Sequence, residues 1–359
     1  MNEGRKSDVS ETVARGTEVP SPPPGAPGQG HGAGTLLRRA GAAFLRQREA
    51  SVLVIVVALL IYFRVNSTSG PILFTKQNLI NLSQATAPYA IIAIGEVFLL
   101  VCGEIDLSVG YTWTLAPFLV QYFAQYYGVP VFLAIVLALL CGALIGWING
   151  FITLRFKVPS FITTLGTAFA IYGFTLTTSN AQARPVPPNA VGLGHWFGQF
   201  AWSEIIWCLA LVVIFHVVLT RTRWGLHTVA VGGNLLGASE SGINVAQVKI
   251  GNFVITGTLG ALAGILEGFK NSTIDPSAGG FTVMFYAVAA AVIGGTAMAG
   301  GSGTVAGAFL GMLVLAILQT GFNLLGISAN PYQIILGVAI VVAMVANVYL
   351  TRLRRAGQA

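Results

Sequence analysis

The chain has 359 residues, 55% of them hydrophobic and only 9% charged, with 44 glycines and a formal net charge of +7. Soluble domains carry about 25% charged residues, and only 16 fall among the 300 positions from Ser51 to Leu350, too few to cover a water-facing surface. An ordinary soluble domain is excluded, and so is a nucleic-acid footprint, because the basic residues flank apolar runs without interleaved aromatics.

Residues 1–34 include PSPPPGAPGQGHGAG and show no apolar periodicity. They cannot bury enough surface to offset chain entropy, and they read as a disordered cytoplasmic tail ahead of one transmembrane domain, 35–359. The first apolar run begins only near Ser51, behind Arg38, Arg39, Arg46 and Arg48, so a cleavable signal peptide is not expected. About 20 apolar residues cross a bilayer core. That ruler gives ten candidate helices, near 50–66, 84–102, 107–126, 130–152, 159–178, 202–220, 249–268, 283–300, 303–322 and 331–350. An even count puts both termini on one side. With the termini inside, twelve lysines and arginines flank the inner ends against four outside, Arg64, Lys76, Arg184 and Lys270, as the positive-inside rule requires. The expected fold class is all-α, a polytopic membrane protein with N and C termini cytoplasmic. The outer loop near 179–201, rich in Pro and aromatics, suits an interfacial cap.

Two stretches strain simple spans. The run from Ala85 to Tyr127 is broken by Glu96 and by Gly103-Glu104-Ile105-Asp106, and 279–303 is cut by Gly279-Gly280, Gly294-Gly295 and Gly300-Gly301. Glycine pairs and acids at membrane depth are the sequence form of discontinuous helices. Each interruption is followed by a glycine-laddered helix and then a proline-started one, a weak internal repeat. The ladders Gly142/Gly146/Gly150, Gly260/Gly264/Gly268 and Gly303/Gly307/Gly311 let backbones approach closely in lipid, either inside one bundle or across a homodimer.

Glu96, Glu104, Asp106, Ser108 and Asn149 are the candidate path or gating residues. An acid inside the bilayer costs about 2.5–3.5 kcal/mol on insertion scales, so it needs water, a partner or a capping role. Asp106-Leu107-Ser108 opens an apolar run, where a carboxylate can cap the N–H groups of a restarting helix. Thr163, Thr164, Thr167, Gln319 and Asn323 are uncharged polar positions that suit a polyol-lined path or, equally, helix-to-helix hydrogen bonds.

The loop near 221–249 is the longest polar stretch within the membrane region. Gly232-Gly233 predicts a turn, Asn234 an N-cap, Leu235 to Ser241 about two helical turns, and Gly242 the residue that ends them. Such a helix, with Ala238 and Ser239 on view and Glu240 and Ser241 beside them, fits the groove of a soluble partner. Nothing matches G-x-x-x-x-G-K-[ST], so any ATP use belongs to another chain. The four histidines are scattered, and Cys102, Cys141 and Cys208 sit singly in apolar runs, so no metal or cofactor site is expected.

Three blocks, GEIDLSVG (103–110), AVGGNLLGASESGINV (230–245) and AVIGGTAMAGGSGTVAGAFLGMLVLAILQTGFNLLGISANPYQ (291–333), resemble the membrane permease subunits of bacterial ABC importers of the ribose, xylose and arabinose type. These are inner-membrane components of binding-protein-dependent transport systems, and the resemblance runs from about Ser51 to Tyr349. Asp106, Ser108 and Gly110 match the family pattern, while Glu104 stands where the family usually has glycine. Gly232, Gly233, Asn234, Ser241, Gly242, Ile243 and Asn244 match the loop that forms the coupling helix onto the ATPase. Gly294, Gly295, Gly300, Gly301, Gly303 and Gly307 match the family's Gly-rich helix pair.

The resemblance implies ten-helix subunits paired as a homodimer or close heterodimer, with the path at their interface, in the bacterial inner membrane. It implies cytoplasmic ATPase domains that use ATP and Mg, an extracytoplasmic sugar-binding protein, and no catalysis or cofactor binding by this chain. The expected function is import of a pentose or hexose. The alternatives are nucleosides or another small polar solute, branched-chain amino acids, or an ion-coupled secondary transporter with Glu96, Glu104 and Asp106 as proton or cation sites.

Overall fold

Long apolar stretches in a medium without water must satisfy their own backbone, and helices do so locally. A computed structural model describes residues 48–187 and 191–327, with helical positions also at 333–335, 337–338, 341–342 and 345. The expected tail at 1–34 and most of the last span, 331–350, lie outside the described residues. The helices are α1 (Arg48–Val65), α2 (Gly70–Leu73), α3 (Lys76–Val101), α4 (Val109–Tyr126), α5 (Val131–Phe156), α6 (Ser160–Ser179), α7 (Val191–Gly194), α8 (Ser203–Arg221), α9 (Arg223–Gly233), α10 (Leu235–Glu240), α11 (Val245–Asn271), α12 (Gly280–Ile293) and α13 (Val305–Leu324). Strand among the described residues is confined to β1 (Arg184–Pro185) and β2 (Thr273–Ile274), paired antiparallel with Arg184 opposite Ile274. Among the described residues six helices, α3, α5, α6, α8, α11 and α13, are long and apolar enough to cross a membrane, and α12 is a shorter apolar helix.

Two expected spans are corrected. The span expected from 84 begins at Lys76, because Thr75 caps the helix by accepting from the Asn78 N–H and the Asn78 side chain donates to Leu73 O at 2.8 Å. The span expected over 283–300 stops at Ile293. Gly295, Gly300 and Gly301 then take φ of +92°, +84° and +77°, a region that side chains with a Cβ disfavour, and the chain loops until Thr304 caps α13.

Burial divides the bundle into centre and rim. In α3, 83% of the apolar window is inside the bundle, and in α11 67%, against 33%, 28% and 33% for α5, α6 and α8. The most apolar of the six, α5, faces lipid, since lipid tails are as apolar as its side chains, while α3 is buried almost without interruption from Thr86 to Val101. α11 packs against α3, α4 and α5. The glycine ladders make this possible: a Cβ at Gly146 would strike Phe253 O, one at Gly264 would strike Trp113 O, and one at Gly311 would strike Ala290 O. All three ladders therefore serve contacts within the chain. The 191–199 segment folds back onto the end of α11, where Phe197 meets Phe269 and Trp207, and the Trp207 indole donates to Trp196 O at 2.9 Å.

Candidate functional site

Between α3 and α4 the chain runs non-helically from Cys102 to Ser108. Irregular backbone in a membrane bundle survives only where its polar groups are satisfied, and here side chains do it. The Ile105 N–H donates to Ser160 Oγ at 3.3 Å and the Leu107 N–H to Thr164 Oγ1 at 3.0 Å, both at the start of α6. Asp106 Oδ1 accepts from the Ser108 N–H at 2.8 Å and from Ser108 Oγ at 2.6 Å. Asn149 of α5 donates from Nδ2 to Ser108 Oγ at 2.8 Å and to both Asp106 oxygens at 3.4 Å. Asp106, Ser108 and Asn149 are all buried and form one cluster directly ahead of α4, with Asp106 holding the N-cap residue Ser108.

Glu96 sits on α3, fully buried beside Asp106, and its oxygens meet no side-chain donor, the Asp106 backbone N–H being the polar group nearest them. Asn149 Oδ1, Thr153 Oγ1 and Thr163 Oγ1 are buried and unpartnered. The interior near the break thus holds more polar capacity than its own contacts use.

Glu104 turns away from this cluster. It pairs with Lys249 at 2.5 Å, the two side chains being 11% and 12% exposed. Lys249 lies in the first turns of α11, directly after the 221–249 loop, so the ion pair ties the break to the start of that helix. A second tie is Asn252, wholly buried on α11. Its Oδ1 accepts from the Trp224 indole at 2.9 Å, and its Nδ2 donates to Phe98 O at 3.2 Å and to Thr228 Oγ1 at 3.3 Å, joining α9 to α3.

Gly232 and Gly233 are not the expected turn. They close α9 as helix, and the turn comes one residue later at Asn234. Gly232 is needed for approach: a Cβ there would collide with the Val101 carbonyl, at the end of α3. The same carbonyl accepts from the Gly301 N–H at 2.8 Å. Three segments, the ends of α3 and α9 and the loop before α13, therefore converge on one backbone oxygen.

α10 is defined at both ends. Asn234 Oδ1 accepts from the Gly237 N–H at 3.0 Å. At the other end the Gly242 N–H donates to Ser239 O and the Ile243 N–H to Ala238 O, with Gly242 at φ +81°. Asn244 then caps α11 through the Gln247 N–H. Ala238, expected on view, is instead buried at 4% exposure in an apolar cluster with Cys102, Val231 and Val248. The exposed face consists of Leu235, Leu236, Ser239, Glu240 and Ser241.

The far end of α11 carries a cluster the sequence did not single out. Lys270 lies 2.7 Å from Glu267 and 3.6 Å from the buried Glu204 of α8. Lys249 and Lys270 are separated by about 31 Å along an α-helix, close to the ~30 Å of a bilayer core. The charged pairs of α11 are therefore spaced by about the thickness of one bilayer core.

The family described as branched-chain amino acid transport system / permease component matches residues 78–344. The chain is 38% identical over 311 residues to the xylose/arabinose import permease of Sulfolobus acidocaldarius, covering 83% of each chain. It is 34% identical over 301 residues to the ribose import permease of Escherichia coli strain K12, covering 81% of this chain and 92% of the relative. It is 30% identical over 321 residues to the fructose import permease of Rhizobium meliloti, covering 86% and 88%. No solved structure matches the chain. On its apolar helices and these relatives together, the chain belongs to this permease family, as a multi-pass inner-membrane subunit of the ribose/xylose ABC-importer type that transports and is not an enzyme.

Proposed function

We propose that the chain forms the solute path of an ATP-driven importer of a monosaccharide, and that a separate cytoplasmic ATPase moves it by docking on α10. The observation that carries this reading is the seat of α10. Leu235 and Leu236 are 51% and 70% exposed, while Ala238 beneath them packs on Cys102, at the foot of the α3 break. A push on the exposed face is delivered to the break that holds Asp106, Ser108 and Asn149. The Glu104–Lys249 ion pair and the buried Asn252 amide reinforce the same connection.

In this reading the membrane domain has about ten helices with both termini cytoplasmic, which puts α10 and the Glu104–Lys249 pair on the cytoplasmic side. Glu96, Glu104, Asp106, Ser108 and Asn149 gate the path. Gly232, Gly233, Asn234, Ala238, Glu240, Ser241 and Gly242 form and seat the coupling element. ATP and Mg are held by the partner ATPase, two copies of this chain pair across the path, and an extracytoplasmic binding protein delivers the sugar. The named relatives import ribose, xylose/arabinose or fructose, so the common solute class is the monosaccharide. The test is co-purification: an ATPase co-expressed with the chain is expected to be retained by the native protein and lost with Leu236→Asp. Equal retention by both would remove α10 as the docking element.

A further inference from the structure

A cleft of about 350 Å³ opens between α4 and α6 at the end of the bundle that carries β1. Its floor is apolar, with the buried Leu115 and Phe118 and the half-buried Leu119 on α4, its side is the exposed Phe174 of α6, and Tyr122, Tyr126 and Arg184 also line it. From Leu115 to Tyr126 is about 16 Å of helix, which equals one leaflet of a ~30 Å bilayer core. Tyr122 and Tyr126, with ring centroids 4.9 Å apart and 40% and 68% exposed, stand where aromatic residues anchor at the headgroup level.

The polar groups at the mouth decide the ligand. Thr178 and Ser179 donate their hydroxyls to their own helix, to Phe174 O and Leu176 O, and Gln121 donates its amide to Gln125. That engages their donors, so few side-chain donors remain for a polyol. Arg184, by contrast, has one 3.4 Å contact to Ser179 O and makes no ion pair among the described residues. At the same end Lys270 is neutralised by Glu267 and Glu204. An apolar slot one leaflet deep, closed by an aromatic rim and an uncompensated guanidinium, is complementary to one acyl chain with a phosphate headgroup.

We propose that the α4/α6 cleft is a binding site for an anionic phospholipid, its chain lying along Leu115 and Leu119 and its phosphate paired with Arg184. The site is separate from the solute path and does not depend on which solute is carried. The guanidinium fork suits a phosphate oxygen pair, and one cation near an anionic headgroup favours it over a neutral lipid by about fivefold.

The experiment uses the purified full chain in detergent with equimolar phosphatidylglycerol and phosphatidylcholine, counting retained lipids by native mass spectrometry. Native protein is expected to retain phosphatidylglycerol about fivefold over phosphatidylcholine. Arg184→Gln, at a half-buried surface position that leaves the fold intact, is expected to bring the ratio to about one, and Arg184→Lys to keep a preference. Leu119→Trp, which fills the slot, is expected to lose one bound lipid of either kind. Inorganic phosphate at millimolar concentration is expected not to displace the lipid, because it lacks the chain. No headgroup preference in the native protein, an unchanged preference in Arg184→Gln, displacement by phosphate alone, or displacement by ribose or xylose would each overturn the assignment.

Discussion

The Val101 carbonyl accepts a hydrogen bond from the Gly301 N–H at 2.8 Å, which joins the interruption after α3 to the one after α12. Gly232 rests against the same oxygen, so the last turn of α9 closes over the junction. The 221–249 loop thus touches both interruptions.

Gly232→Ala is expected to cost about 2–3 kcal/mol or to prevent folding, since a methyl would overpack a backbone-to-backbone contact. Gly233→Ala should be nearly neutral, because the nearest atom to its Cβ is 3.9 Å away. Thermal unfolding of the two detergent-solubilised variants distinguishes them, and equal stability would contradict the close-approach role.

Asp106→Ala strands the Ser108 N–H and the Ser108 hydroxyl without their acceptor, while the Asn149 amide keeps its 2.8 Å bond to Ser108 Oγ. Each buried orphan costs about 1–3 kcal/mol, so little folded protein is expected in the membrane. Asp106→Asn retains an acceptor oxygen for Ser108 while removing the charge, and is expected to fold but to transport roughly tenfold more slowly, a difference of about 1.4 kcal/mol. Membrane yield and uptake measured on the same preparations separate the two effects.

Much of this site was legible in the sequence because its signals are local. Acids and glycine pairs in apolar runs located both interruptions, and Asn234 and Gly242 bounded α10, since caps and positive φ depend on neighbouring residues. Lys249, Ser160 and Asn252 were missed because their partners lie far away in the chain, and no periodicity reports such pairing. Gly232-Gly233 was misread because glycine serves two ends, positive φ and close approach, and only the latter applies to Gly232. Ala238 was placed on the wrong face because a two-turn helix is too short for its apolar stripe to be assigned from spacing.

Glu104 and Lys249 should be coupled energetically. Glu104→Gly and Lys249→Ala each leave a mostly buried charge unpaired, so the double variant is expected to be more stable than the sum of the two losses predicts, by about 1–3 kcal/mol. Additive losses in a double-mutant cycle would show that the 2.5 Å pair contributes nothing to holding α11 to the break.

Gly242→Val places a β-branched residue at φ +81°, at a cost of about 1–2 kcal/mol, and should disturb the end of α10. Glu240→Lys changes only the exposed face. Both are expected to remain in the membrane, yet to separate ATP hydrolysis from uptake. Gly242→Asn, which tolerates the left-handed region better, should be milder.

Uptake into proteoliposomes tests the central claim most directly, with radiolabelled pentoses and hexoses and with this chain, its ATPase and its binding protein omitted in turn. Uptake of a monosaccharide that requires all three and ATP is the predicted result. Uptake by this chain alone, driven by an imposed ion gradient, would contradict the account and make Glu96, Glu104 and Asp106 ion sites.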